Sequence, residues 1–271
     1  MQAYSSWTPP SGTLGRILVE ATTRVARLHR RMDELERAAA AAPVAPSLAA
    51  ALRGGTVAVI AEVKRSSPSK GAINPGLDPV AQARAYEAGG ARGISVLTEP
   101  VHFGGSPEDL SAIRGAIALP LLKKDFHIDV IQLVEARALG ASAALLIARA
   151  LPPERLRQLA AEARAMGLEV LVEVRDEREL EAALSTDAEM IGVNNRNLES
   201  LAIDMATSER LVPNIPGDRL AIAESGVVTA ADVERGAAAG ADAVLVGSSV
   251  SSAADPAAAV RALAGVARRG R

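Results

Sequence analysis

The chain has 271 residues, 49% of them hydrophobic, with 30 Lys and Arg against 32 Asp and Glu, a formal net charge of -2. That length accommodates one large domain of roughly 200–250 residues plus a short appendage, and is short for two complete domains. A pI near 6.0 lacks the basic surplus that nucleic-acid binding demands, and the absence of cysteine excludes disulfides, zinc thiolates, iron–sulfur clusters and thiol nucleophiles.

Three histidines, His29, His102 and His127, leave little room for a His-rich metal site. No apolar run reaches the roughly 18 residues of a membrane span, and Met1–Pro10 lacks the basic and apolar regions of a signal peptide. The expectation is a cytosolic protein with neither membrane nor nucleic acid as partner. Aromatic residues are confined to Tyr4, Trp7, Tyr86, Phe103 and Phe126, so the core must be aliphatic.

Residues 1–56 form an N-terminal helical extension. Leu14, Leu18, Ala21, Val25, Leu28, Met32 and Leu35 recur at alternating spacings of 4 and 3, an apolar stripe along one helix face. Ser11 or Thr13 supplies a start signal, and Ala38–Pro46 a stop. The stripe fits either a coiled-coil seam or a single amphipathic helix lying on its own domain. Ile17 widens it and the flanking positions carry no complementary charge pattern, which favours the second reading.

From Val57 to the end, short β-branched runs alternate with helix-compatible stretches. The predicted strands are Val57–Val63, Arg92–Leu97, Leu119–Lys124, Ser142–Ile147, Leu168–Val174, Glu189–Asn194, Arg219–Glu224 and Asp242–Gly247. The Gly-Ala pairs before several of them fit helix C-caps leading into short loops. Alternation of this kind gives a parallel sheet with right-handed crossovers, either open and doubly wound or closed. Eight units without GxGxxG after the first strand favour an α/β (β/α)8 TIM barrel over residues 57–271.

Side chains alternate between the two faces of a barrel strand. In the first strand Val57, Val59, Ala61 and Val63 face the helices, so Glu62 and Lys64 face the axis. Lys124 closes the third strand, Glu173 lies near the end of the fifth, and Asn194 and Glu224 close the sixth and seventh. Three Glu, two Lys and one Asn thus gather at the C-terminal rim, where such barrels do their chemistry, and converging charges there shift one another's pKa as acid–base catalysis requires. A structural ion pair explains one such pair but is a poor stabiliser. Glu169 starts the fifth strand at the opposite rim and is expected to be solvated.

Ser225-Gly226 after the seventh strand and Gly247-Ser248 after the eighth occupy the usual phosphate seat of these barrels. The run Ser66-Ser67-Pro68-Ser69-Lys70-Gly71 after the first strand is placed to close the site from the other side. Both phenylalanines, Phe103 and Phe126, fall in loops near the same mouth, which hints at an apolar or aromatic substrate group; packing beneath loop helices is the alternative. His102 and His127 read as loop residues.

These segments resemble the indole-3-glycerol phosphate synthase family: Ile60–Gly71 (IAEVKRSSPSKG), Ser95–Ser106, Leu121–Phe126 (LLKKDF), Gln132–Arg137, Leu145–Ile147, Leu171–Val174, Ile191–Leu198 (IGVNNRNL), Glu224–Val227 and Leu245–Ser249, in the same order. The resemblance implies a lyase of tryptophan biosynthesis, without metal or organic cofactor. Its reaction converts 1-(2-carboxyphenylamino)-1-deoxyribulose 5-phosphate to indole-3-glycerol phosphate with loss of CO2 and water. Carried over by motif, Lys124 is the general acid of ring closure, and Lys64 binds the anthranilate carboxylate and serves in dehydration. Glu62 and Glu173 are acid–base carboxylates, while Asn194 orients a substrate hydroxyl and Lys124. Arg196 supports it, and Glu224 is a polar rim residue. Ser67, Ser225, Gly226, Gly247 and Ser248 resemble the phosphate site; Phe103 and Phe126 resemble the wall around the aromatic ring.

A Lys ammonium donates a proton readily when its pKa is lowered; Lys64 is expected to lower that of Lys124 by repulsion, with the nearby carboxylates opposing. Ile131 and Arg175 depart from the aromatic and His usual at those positions, and Trp7 is a candidate for an N-terminal lid. The implied partners are a phosphorylated small molecule and other enzymes of the pathway, with the chain a monomer or weak homodimer. Rival readings are another phosphate-binding isomerase or aldolase barrel, or a non-catalytic barrel that retains phosphate-ligand binding.

Overall fold

The computed structural model describes residues 7–271; Tyr4 and the rest of residues 1–6 lie outside them. Eight parallel strands close into a barrel in sequence order: β1 (Ala58–Val63), β2 (Gly93–Leu97), β3 (Leu121–Lys124), β4 (Ala143–Ile147), β5 (Glu169–Val174), β6 (Met190–Asn194), β7 (Leu220–Glu224) and β8 (Ala243–Val246). Pairing of Ala58 with Ala243 through Ala61 with Val246 shuts it. Each strand begins within two residues of its predicted start. The runs are apolar because helices cover them outside and side chains fill them inside; every residue of β4 and β7 is buried.

Helices alternate with the strands. Three precede the barrel, α1 (Gly12–His29), α2 (Met32–Ala41) and α3 (Leu48–Leu52); α4 (Pro79–Ala88) follows β1, and α5 (Pro100–Phe103) and α6 (Pro107–Arg114) follow β2. The rest are α7 (Val130–Ala138), α8 (Pro153–Ala165), α9 (Glu177–Leu184), α10 (Ala206–Leu211), α11 (Ala230–Ala239), α12 (Ser248–Ser251) and α13 (Pro256–Arg261). Side-chain caps start many of them, as Asp78 does for α4 and Asp129 for α7, satisfying amides that would otherwise lack partners. Gly240 ends α11 in the left-handed region at φ 98°, as the Gly-Ala pairs predict.

The apolar stripe lies on the chain's own barrel. Leu14, Ile17 and Ala21 are buried in one hydrophobic cluster with the strands. It is not one helix, however. The chain leaves helical geometry at Arg31 (φ -114°, ψ 16°), and α2 turns to lie along α7, burying Leu35. Burial of that leucine against α7 outweighs the backbone bonds lost at the break. An ion pair and two imidazole–carboxylate contacts hold α1 over the C-terminal rim: Arg24 to Asp125 at 2.9 Å, His29 to Asp129 at 3.1 Å, and Glu20 to His102 at 2.9 Å.

Glu169 corrects the expectation of a solvated carboxylate. It is half-buried at the N-terminal rim and accepts the amides of Leu48 and Ala49 at 2.8 and 3.0 Å, besides the Ser47 hydroxyl. A carboxylate at a helix start offsets the unpaired amides there, so Glu169 fastens α3 to β5.

Candidate active site

The barrel interior is filled in layers drawn from alternate strands. On the odd strands the inward positions Ile60, Leu122, Leu171 and Ile222 are all fully buried. Two residues further along each strand, the pleat turns inward Glu62, Lys124, Glu173 and Glu224. An apolar floor therefore carries a charged quartet contributed by β1, β3, β5 and β7. The even strands leave it room. Ser95 lies beside Glu62 and donates to it at 3.4 Å. Gly192 of β6 stands where any Cβ would collide with the Glu224 carboxylate.

Joined by Lys64, the quartet makes three ion pairs in two groups: Lys124 Nζ is 2.9 Å from Glu224 and 3.2 Å from Glu173, and Lys64 Nζ is 2.6 Å from Glu62. Gly247, after β8, packs so closely on this last pair that a Cβ would overlap the Glu62 carboxylate and approach Lys64 Nζ to 3.1 Å. Burial penalises every charge here, and the neighbours decide the outcome. Burial resists Glu62 ionisation, yet Lys64 and then Lys124 hold its carboxyl below the usual range.

Burial disfavours the Lys124 ammonium, but Glu224, Glu173 and Glu62 overcome that and hold it protonated far above its ordinary value. This corrects the expectation that Lys64 lowers it. Lys64 is tied to its own carboxylate, while Lys124 is flanked by two. Three carboxylates face two ammonium groups, and although Lys124 Nζ lies nearest to Glu224, that carboxyl is not fully compensated. Burial, only partly offset by Lys124 and reinforced by Glu173, pushes it up to about 7.

Around the quartet lies a cavity of about 500 Å³, within the range of small-molecule sites. It brings together every candidate site residue named from the sequence: Lys124, Lys64, Glu173, Glu62 and Asn194, with Ser67, Arg196, Glu224, Ser225, Gly226, Gly247, Ser248, Phe103 and Phe126. The two phenylalanine rings stand 6.0 Å apart, tilted by 35°. Across the mouth, Ser225 adopts φ 63° and Gly226 φ 88°, turning the backbone after β7 toward the cavity.

Asn194 differs from its expected contact. Its Oδ1 accepts the Arg196 amide at 2.9 Å instead of orienting Lys124, and Arg196 in turn donates to the Leu201 carbonyl at 3.0 Å. Trp7 is not among the cavity-lining residues; its indole donates to the Arg149 carbonyl at 3.4 Å. The part of the extension that reaches the cavity is Thr13, Leu14 and Ile17 of α1.

Sequence reasoning placed Lys70 in the Ser66–Gly71 run without giving it a role, and it lines the cavity; it missed a buried charge cluster behind Lys124. Lys123 points outward from β3 beneath α7. It is fully buried and meets Glu135 at 3.0 Å and Asp125 at 3.4 Å. A lysine on the helix-covered face of a strand must have a partner, and Glu135 in the next helix was the available signal.

The family model for indole-3-glycerol phosphate synthase matches residues 14–263. The chain belongs to the indole-3-glycerol phosphate synthase family. It is 48% identical over 257 residues to indole-3-glycerol phosphate synthase 2 of Streptomyces coelicolor, covering 94% of this chain and 100% of that one. It is 44% identical over 248 residues to the indole-3-glycerol phosphate synthase of Azospirillum brasilense, covering 92% and 95%. Among solved structures it is similar to 3-hexulose-6-phosphate synthase, with a TM-score of 0.60 at 16% identity over 76% of this chain and 98% of that one. A likeness at that identity shows the barrel alone. Indole-3-glycerol phosphate synthases are carbon–carbon lyases of tryptophan biosynthesis acting on a phosphorylated small molecule, and among the described residues no helix is long and apolar enough to cross a membrane.

Proposed function

We propose that the chain closes the indole ring of 1-(2-carboxyphenylamino)-1-deoxyribulose 5-phosphate and releases indole-3-glycerol phosphate, CO2 and water, with the charged quartet and Lys64 as its acid–base machinery. The observation that carries this reading is the Lys124 ammonium held between Glu173 and Glu224, in a cavity with an aromatic wall and the loops after β7 and β8 at its rim.

In ring closure the aryl carbon bearing the carboxylate bonds to the ribulose carbonyl carbon, and the carbonyl oxygen takes a proton from Lys124. Glu224, 2.9 Å from Lys124 and protonated below about pH 7, replaces that proton as it leaves, so no free amine persists. The carbon–carboxylate bond then breaks, and its electron pair restores the aromatic ring, so this step needs no base. In dehydration the new hydroxyl leaves as water with a proton from Lys64, and Glu62, 2.6 Å from Lys64, receives the proton lost from the adjacent carbon. Glu173 keeps the Lys124 ammonium aimed. Ser67, Ser225, Gly226, Gly247 and Ser248 seat the phosphate, Asn194 and Arg196 the sugar hydroxyls, and Phe103 and Phe126 wall the aryl ring. With α1 lining the mouth, residues 1–56 and 57–271 act as one catalytic unit.

A Schiff-base aldolase would need Lys124 as a neutral amine, and three carboxylates oppose that state. The decisive test is a fluorescence assay for indole-3-glycerol phosphate, run beside borohydride trapping with substrate. Turnover without a Lys124 adduct supports the reading; an adduct, or no product, overturns it.

A further inference from the structure

Glu99 follows β2 and is completely buried, yet none of the steps above uses it. It does not line the cavity. Its carboxylate accepts three consecutive backbone amides, those of Val101 at 3.0 Å, His102 at 2.7 Å and Phe103 at 3.1 Å. Its carbonyl receives the Gly105 amide at 2.9 Å. A helix of four residues has too few internal bonds to persist alone, so the geometry of α5, and with it the Phe103 ring, is dictated by this side chain. Asp125 plays the matching part for the opposite ring. It accepts the Phe126 amide at 2.8 Å and the Thr98 hydroxyl at 2.7 Å, and Thr98 immediately precedes Glu99. The two rings thus hang from two buried carboxylates joined through one threonine.

We infer that Glu99 is a positioning residue for the aryl end of the substrate: it fixes the Phe103 ring against Phe126 and so sets the width of the aromatic slot. This rests on the reading of Phe103 and Phe126 as the wall of the aryl site. Charge-assisted bonds to a carboxylate are stronger than those to a neutral amide. In Glu99→Gln one of the two oxygens becomes an NH2 that faces backbone N–H donors, so the α5 turn shifts and the ring with it.

The experiment measures KM and kcat for the carboxyphenylaminodeoxyribulose phosphate, with inorganic phosphate as a competitive inhibitor, in Glu99→Gln, Phe103→Ala and the double variant. Glu99→Gln is expected to raise KM roughly fivefold, as for a lost hydrogen bond, with kcat within about twofold and phosphate inhibition unchanged. In the Phe103→Ala background it is expected to add nothing, because interacting residues are non-additive. An unchanged KM, an equal rise in both backgrounds, or a parallel loss of kcat and phosphate affinity overturns the inference. If Glu99→Gln does not fold, Glu99→Asp keeps the charge and withdraws it from the amides; it is expected to give the same KM-only rise, and an unchanged KM counts against the role. Phe103→Ala with normal KM would sink the aryl-wall reading itself, whereas a raised KM in Phe103→Ala with inert Glu99 variants sinks this inference alone.

Discussion

The Glu224 carboxylate meets the Lys124 ammonium at 2.9 Å through one oxygen, while its other oxygen lies buried in the notch left by Gly192 without a hydrogen-bond partner. One oxygen is compensated and the other is not. Burial of that uncompensated oxygen, with the Glu173 charge nearby and Lys124 only partly opposing, raises the Glu224 carboxyl to about 7.

The protonation of Glu224 is open to direct observation. A carboxylic-acid carbonyl band in the infrared should be present at pH 6 and fade through about pH 7. Glu179, which burial and Asp176 also push up to about 7, contributes a second such band, so Glu224→Gln should remove one component and leave the other. No change in that variant would rule out the assignment. A carboxyl whose native pKa is raised binds more protons folded than unfolded between about pH 4.3 and 7, so its contribution to stability declines as pH rises across that window.

Loss of the proton donor should separate chemistry from binding. Lys124→Ala is expected to lower kcat by roughly 10²–10⁴-fold or more, while inorganic phosphate still protects the protein against thermal unfolding as it does the parent. Near-normal turnover would remove Lys124 from the mechanism.

Two glycines of the rim should fail differently. A Cβ at Gly247 strikes the Glu62 carboxylate, so Gly247→Ala should lower kcat, by about 10²-fold if Glu62 shifts by an ångström, in addition to any rise in KM from its place in the phosphate seat. Gly226→Val, in the turn after β7, should chiefly raise KM, since phosphate binding is shared by ground and transition states. Steady-state kinetics of the pair decides; the same pattern in both variants would contradict this division.

Acid stability should depend on His127. Its Nδ1–H donates to the Leu145 carbonyl at 2.7 Å. Burial and then Lys123, against Asp125, push the ring down to about 3. The unfolded chain binds a proton at His127 below about pH 6.5 and the native state does not, so stability falls as pH drops from about 6.5 toward 3, at up to about 1.4 kcal/mol per pH unit. His127→Gln, which retains a donor and an acceptor, should flatten this part of the Tm–pH profile; an unchanged slope would contradict the assignment.

Much of this was legible along the chain. Strand ends were readable because alternation is a local property, and Glu62, Lys124, Glu173 and Glu224 stood out as polar residues on an otherwise apolar inward face. The break after His29 was not, since the stripe continues through it and only the position of α7 makes the turn favourable. Lys123 was passed over because its partner Glu135 lies on α7, and only the packing of that helix on β3 brings the two together.

By itself the sequence determined the barrel, the rim and the chemical types gathered there, because side-chain periodicity follows from backbone geometry two residues at a time. Only the tertiary structure decided which charge answers which. Lys124 meets Glu173 and Glu224 across separations of 49 and 100 residues, and closure of the strands sets those distances. The Lys124 proton is held more tightly and the Glu224 proton shared at neutrality for that reason: Coulomb interactions and desolvation depend on distance and burial in space, which spacing along the chain does not encode.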